Sequence, residues 1–424
     1  MSEAPRLKRT IGLPGAALLS FNGAVGAAIF ALPATLAADF GAFSPWLFPI
    51  VALGAMLVIW PFARSVAAFP ESGGPATYGR VFGRLPGFEL GWIYYAARAA
   101  AFAANANILI AYLARWLPGL EHGIARAATL LAVCLGLGIA NIVGVKRALR
   151  LLAGLTFLKA LPLAVAAVAA LILFAPIPAP GAPPPLSQVE TGALLVFYAF
   201  VGFENLVVPA GETRQPGKTL PRAIFVSIAA TTLLYFLVQL AFVTVFPSGG
   251  ANAGAPLIDL GIRLWGPAGA AILTLAAIAS LGGNLHGIMT SVPRLTYAMG
   301  ERGDLPGWFA SVSTRFATPA NSIVFLALTT AALAISGSFV WLAVVSTLAR
   351  MFVYAITIAA LPRAPERPRI TALHWVSAAI GIAVCAWAAA QADARAWLIL
   401  AALAVAGLVL YALASLSRRR GTAA

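Results

Sequence analysis

Apolar stretches of about twenty residues, each long enough for the roughly 30 Å hydrocarbon core of a bilayer, recur along almost the whole chain between short polar or basic segments. They are rich in Leu, Ala, Val and Phe and lack the period-2 alternation of an outer-membrane strand, so the pattern predicts helices. It divides into twelve spans, at 15–37, 44–69, 88–115, 124–144, 150–174, 190–211, 221–246, 266–299, 319–336, 339–361, 372–391 and 395–416. Only helices or closed barrels satisfy every backbone polar group in lipid, which makes this an all-α polytopic membrane protein. The first span follows a short basic leader (Arg6, Lys8, Arg9) and is not succeeded by a polar mature domain, so it is expected to stay in the membrane.

Composition sharpens the exclusion. With 61% hydrophobic and 10% charged residues, the chain is far more apolar than a soluble globular protein. The net charge of +15 suggests nucleic acid until the basic residues are placed. Arg80 and Arg84, then Lys146, Arg147 and Arg150, then Arg214, Lys218 and Arg222, then Arg302 and Arg315, then Arg363, Arg367 and Arg369 follow the even-numbered spans, while Arg115, Arg126, Arg263 and Arg395 fall on the opposite side. The positive-inside rule then puts both termini in the cytoplasm of a multi-pass protein of the cell (inner) membrane, and the charge reports topology rather than a nucleic-acid face. The basic tail at Arg418, Arg419 and Arg420 reads as an anchor to that leaflet. Cys134 and Cys385 lie inside apolar spans and imply neither a disulfide nor a metal framework.

The charge-free, Pro-rich stretch 175–189 separates two halves of five spans, 15–174 and 190–362, with a tail at 1–14, a last helix pair within 363–416 and a second tail at 417–424. An odd number of crossings turns the second half upside down relative to the first, as an inverted repeat requires. Each half opens on a Val-Gly pair, Val25-Gly26 in FNGAVGAAIF and Val201-Gly202 in FYAFVGFENL.

Span one, SFNGAVGAAIFALP, has Gly23 and Gly26 near its centre and Pro33 a little later. Glycine weakens a helix by about 1 kcal/mol relative to alanine and proline by about 3 kcal/mol, so the span is built to break. A mid-membrane break frees N–H groups that attract a carboxylate and carbonyls that attract an ammonium, which a zwitterion satisfies together. Close helix packing would call for the same glycines. Span six adds Glu204 beside Gly202, and a carboxylate at that depth costs some 2.5 kcal/mol or more unless it is paired or functional. Lys159 sits mid-span in helix five, where burial disfavours the charged ammonium, so it can exchange protons or else reach a carbonyl for stability. Arg98 and Asn105 share a face of span three and either flank a substrate path or join a structural network. His286 and Arg350 are intramembrane groups to which the sequence gives no role.

Four stretches, GAVGAAIFALP (23–33), FPESGGPATYGRVFG (69–83), FYAFVGFENLVVPAGETRQPGKTLPRAI (197–224) and RLTYAMGERGDLP (294–306), resemble the amino acid–polyamine–organocation (APC) superfamily of permeases, bacterial amino-acid transporter type. The resemblance implies the leucine-transporter fold, a 5+5 inverted repeat plus two C-terminal helices with helices 1 and 6 discontinuous. It implies that a substrate carboxylate meets Gly26, Ala27 and Ala28, and an ammonium the carbonyls of Ala24, Tyr198 and Val201. Phe203 and Tyr198 would wall the pocket, and Asn284 would face the substrate side chain. Many relatives have a hydroxyl residue and a second glycine where Ala27 and Ala28 stand. Lys159 would occupy the place of a cation in sodium-coupled members, implying proton coupling or sodium independence, with Glu204 coupling occupancy to gating and Glu212, before Arg214, closing the cytoplasmic gate. The expected function is a secondary active amino-acid transporter with an amino acid, a proton and the lipid bilayer as partners and no cofactor. The scarcity of mid-span acids points to a neutral amino acid rather than a polyamine or cationic amino acid. A membrane-embedded enzyme would need converging ligands, but His122, His286 and His374 are scattered, and a channel would need repeated rings of charges or carbonyls.

Overall fold

The computed structural model describes residues 11–69, 74–143, 148–207, 213–247, 249–365 and 370–421. In chain order its helices are α1 (Leu13–Ala24), α2 (Ala28–Phe40), α3 (Ser44–Ala67), α4 (Pro75–Gly79), α5 (Arg84–Ala114), α6 (Gly123–Val143), α7 (Ala148–Leu173), α8 (Leu186–Tyr198), α9 (Pro216–Val245), α10 (Pro256–Glu301), α11 (Ala320–Ser336), α12 (Phe339–Ala360), α13 (Ala372–Ala390) and α14 (Ala394–Gly421). There is no strand among the described residues; an isolated bridge between Ile11 and Thr213 ties the entrance of α1 to the segment before α9.

Local chemistry explains where the helices start. Proline, whose missing N–H costs nothing in a first turn, opens α3, α4, α9 and α10. Ser338 accepts from Trp341 N to cap α12, and Thr371 and His374 form a reciprocal box at the head of α13. The eighth expected span, 266–299, is the longer part of α10. Trp265 (φ −138°) and Gly266 (φ 62°) interrupt the helix just before Pro267, so the sequence signal for a start at 266 marks a kink, and helix resumes upstream to Pro256.

Nine helical stretches among the described residues are long and apolar enough to cross a membrane. Three expected spans escape that length test for physical reasons. The first is cut into α1 and α2, with α2 running on into α3; the sixth ends as a helix at Tyr198; and α11 has 17 residues, about 25 Å of helix. Centrality follows from burial: 89% of the most apolar window of α5 is buried, against 17% for α6 and α14, which lie at the outside of the bundle. Around α5 pack α10, α12 and α11, while α9 packs against α1, α3 and α7, and α10 against α7. At one end of the bundle Arg84 meets Asp304 at 2.7 Å and Arg363 lies over Phe82. At the other end Arg115 meets Asp259 at 2.9 Å beside a cavity of about 340 Å³.

Candidate substrate-binding site

The two weakened spans do break, and they touch each other at the break. After Ala24 the chain turns at Val25 (φ −82°, ψ 85°) and α2 begins at Ala28, its N-cap residue Ala27 offering no side-chain cap. After Tyr198 a turn leads through Gly202 (φ 111°) into a 3-10 segment, Phe203–Val207. A Cβ placed on Gly23 would stand 2.2 Å from Gly202 O, and one on Gly202 2.2 Å from Gly23 O. Backbone therefore packs on backbone, which only glycine allows, and Gly202 also needs its left-handed φ.

Breaking α1 strands its last carbonyls in the protein interior, and each of them has been met by a side chain. Lys159 Nζ donates to Asn22 O (3.0 Å) and Val25 O (2.7 Å), Ser280 Oγ also to Val25 O (3.1 Å), Tyr235 OH to Ala24 O (3.1 Å), and Asn284 Nδ2 to Gly23 O (3.4 Å). Fully buried, the Lys159 amine sits at the negative end of the α1 dipole. Ala24 O, expected to await an ammonium, also accepts from Gly26 N at 3.0 Å and so carries two donors here.

Between the breaks lies a cavity of about 20 Å³, room for a water rather than an amino acid. Ala24, Gly26, Ala27, Ala28, Tyr198, Val201, Asn284, Arg98 and Asn105 all line it. A Cβ on Gly26 would meet Asn284 Nδ2 at 2.6 Å and Asn105 Oδ1 at 3.2 Å, so a larger residue there would have to displace these two amide tips. Asn105 donates to Ala101 O (2.7 Å) and Tyr198 OH (3.4 Å), whereas its Oδ1 is buried without a partner. Tyr198 meets Phe339 edge to face at 5.9 Å, and Phe339 borders the 340 Å³ cavity, so this ring pair separates the two spaces. Phe203 is not among the lining residues; it is fully buried between Phe62 and Tyr354. Asn107 bonds to Ala103 O, Ala334 O and Arg126, joining α5 to α11 away from this cavity. His286 is beside Asn141 (3.5 Å), and Glu212 lies outside the described residues.

The partner of Glu204 is Arg350, which the sequence left without a role. Arg350 Nε donates to Glu204 Oε1 at 2.8 Å, while Tyr354 OH (3.0 Å) and Gly202 N (2.8 Å) donate to Oε2. Arg98 stands 3.8 Å from Oε1. Arg350 also reaches Ala97 O and Ser346. The carboxylate thus fastens the broken end of α8 to α12 and faces α5. A signal existed: a carboxylate at membrane depth demands a cation, and Arg98, Lys159 and Arg350 were the deep cations available. Nothing in the sequence tells which of them, 106, 45 and 146 residues away, arrives. Among the described residues no group of three or more His, Cys, Asp or Glu is placed to hold a metal ion.

Residues 11–391 match the family model described as amino acid permease. The chain belongs to the amino acid permease family. Both breaks, Lys159, Glu204 and Arg350 fall inside the matched region, and the permease is a multi-pass membrane transporter of the APC superfamily. It is 31% identical to an uncharacterized transporter of Mycobacterium tuberculosis over 77% of its own length and 74% of the relative's. It is 27% identical to the methylthioribose transporter of Bacillus subtilis, covering 98% and 95% of the two chains, and 28% identical to the serine/threonine exchanger SteT of the same organism, covering 76% of each.

Proposed function

We propose that this permease is a secondary active amino-acid transporter of the cell membrane that works by alternating access, with both termini cytoplasmic. In this reading the twelve spans form a 5+5 inverted repeat plus two helices, and the group containing α1, α2 and α8 rocks against the rest around the cavity. The observation that carries the reading is the pair of broken helices meeting at a buried polar cavity. The uncapped N-terminus of α2 offers free N–H groups to a carboxylate. The unpartnered Asn105 Oδ1, with the carbonyls around Tyr198 and Val201, offers acceptors to an ammonium. The names of two relatives, a serine/threonine exchanger and a methylthioribose transporter, place small polar solutes in the family's range.

The described surroundings disfavour a polyamine or cationic amino acid, because no acid lines the cavity and Glu204, behind it, already serves Arg350. Lys159 supports proton coupling: its amine fills the place between the α1 carbonyls where a metal cation would otherwise be needed, and it can be present with or without its proton. Glu204 is assigned as the residue that holds α8 to α12 when the site is closed, and Glu212 as a cytoplasmic-end residue. Uptake into proteoliposomes with an imposed pH gradient tests the proposal. Accumulation of an amino acid driven by an inwardly directed proton gradient is expected; a protein that moves no amino acid under any gradient refutes it.

A further inference from the structure

The buried charges at the cavity do not balance. Arg98 and Arg350 line it, whereas Glu204 stands behind them, outside the lining, with both its oxygens engaged, Oε1 by Arg350 and Oε2 by Tyr354 and Gly202 N. Arg98, 3% exposed, lines the same cavity, and its guanidinium has no hydrogen-bond partner among the described residues. Its nearest anionic atom is Glu204 Oε1, at 3.8 Å and already bonded to Arg350. Two guanidiniums thus share one carboxylate, and the one left over borders the space into which the substrate must fit. Two other described acids that pair, Asp259 with Arg115 and Asp304 with Arg84, do so at the ends of the bundle.

We propose that the permease selects amino acids with an anionic side chain, of the glutamate or aspartate type, and that Arg98 receives the side-chain carboxylate. The proposal rests on the reading of this cavity as the amino-acid site. A zwitterion brings equal positive and negative charge. With its carboxylate at the N-terminus of α2 and its ammonium at Asn105 Oδ1, it leaves the surplus guanidinium buried without a counter-charge of its own, an unfavourable state. An acidic amino acid carries one further negative charge, which compensates the guanidinium of Arg98. The planar fork of arginine presents paired donors that match a carboxylate, so it gains both charge compensation and hydrogen bonds. Scarcity of mid-span acids in the sequence argues only against a cationic side chain. Neutral and acidic side chains part company once Arg350 is seen to claim Glu204.

Glutamate and glutamine, nearly equal in shape and different in charge, make the test. The full-length protein in micelles at pH 7 is titrated with glutamate, aspartate, glutamine, asparagine, leucine and sodium acetate, following thermal stabilisation, and the same panel competes for uptake in proteoliposomes. Glutamate or aspartate is expected to act at concentrations at least about tenfold below its amide. Arg98→Gln is expected to bring that ratio close to one with a smaller change for the amide, and Arg98→Lys to keep part of it. Equal action of acid and amide on the wild type overturns the proposal without need of any variant. So does a ratio that survives in Arg98→Gln, or stabilisation by acetate equal to that by glutamate. If amides and neutral amino acids act and acids do not, this inference falls while the amino-acid site stands; if no amino acid acts, both fall.

Discussion

Substitution of Gly23 by alanine probes the contact between the two broken helices. The new methyl would lie 2.2 Å from Gly202 O and 2.4 Å from Asn205 Nδ2, and the nearer atom belongs to the backbone. Reaching ordinary contact at 3.4 Å requires the two breaks to part by about 1.2 Å, the difference of those distances. Overpacking of this kind costs about 1–3 kcal/mol, and the depth of the overlap places it at the upper end. Alanine returns about 1 kcal/mol through helix propensity at the end of α1, leaving a net loss of about 2 kcal/mol. Gly54→Ala in α3 is the matched control, since nothing lies within 4 Å of its added Cβ and its stability should hold or rise by up to about 1 kcal/mol. Thermal unfolding of both variants in micelles, followed by transport assays in proteoliposomes, separates them. Gly23→Ala should melt below the wild type and lose transport, while Gly54→Ala should do neither. Equal behaviour of the two variants, or a Gly23→Ala protein with wild-type melting and transport, would refute the claim that these backbones touch.

Three further outcomes follow from the same geometry. Lys159→Met removes the donors to Asn22 O and Val25 O, so thermal unfolding should show a loss of about 1–3 kcal/mol, and uptake should cease to depend on the pH gradient; undiminished gradient dependence would remove Lys159 from coupling. Arg350→Met deprives Glu204 of its direct cation and should cost about 3–5 kcal/mol. Adding Glu204→Gln to it should cost less than the sum of the single changes, which a double-mutant cycle of melting measurements checks. Tyr235→Phe deletes one bond to Ala24 O and should lower stability by only about 0.5–1.5 kcal/mol in the same melting assay.

Much of this site could be read along the chain because it depends on local chemistry. Gly23, Gly26 and Gly202 predict unwinding from their own propensities, and an ionisable residue in an apolar run, such as Glu204 or Lys159, announces itself without a partner in view. Interactions set by tertiary approach could not be read this way. That Glu204 meets Arg350 rather than Lys159, that Tyr235 and Ser280 close on the end of α1, and that Phe203 turns to Phe62 instead of the cavity depend on distances across the bundle. The start of the eighth span shows a third kind of difference. Gly266 and Pro267 are a sound signal for a helix boundary, but the helix resumes on the far side because Gly261 and Gly269 pack backbone to backbone, with a Cβ on Gly261 only 2.4 Å from Gly269 O.

The grip on the end of α1 has a dynamic consequence. Its carbonyls are held from α7, α9 and α10 at once, so the retreat of any single neighbour leaves the others in place. Halfway through a withdrawal of α1 these oxygens would face neither their donors nor water, which makes intermediate positions less stable than either end of the travel. Such an arrangement behaves as a detent. It resists small displacements and then releases as a unit, so the rocking of α1 proposed for alternating access should appear as one activated step rather than a continuum of partly open forms.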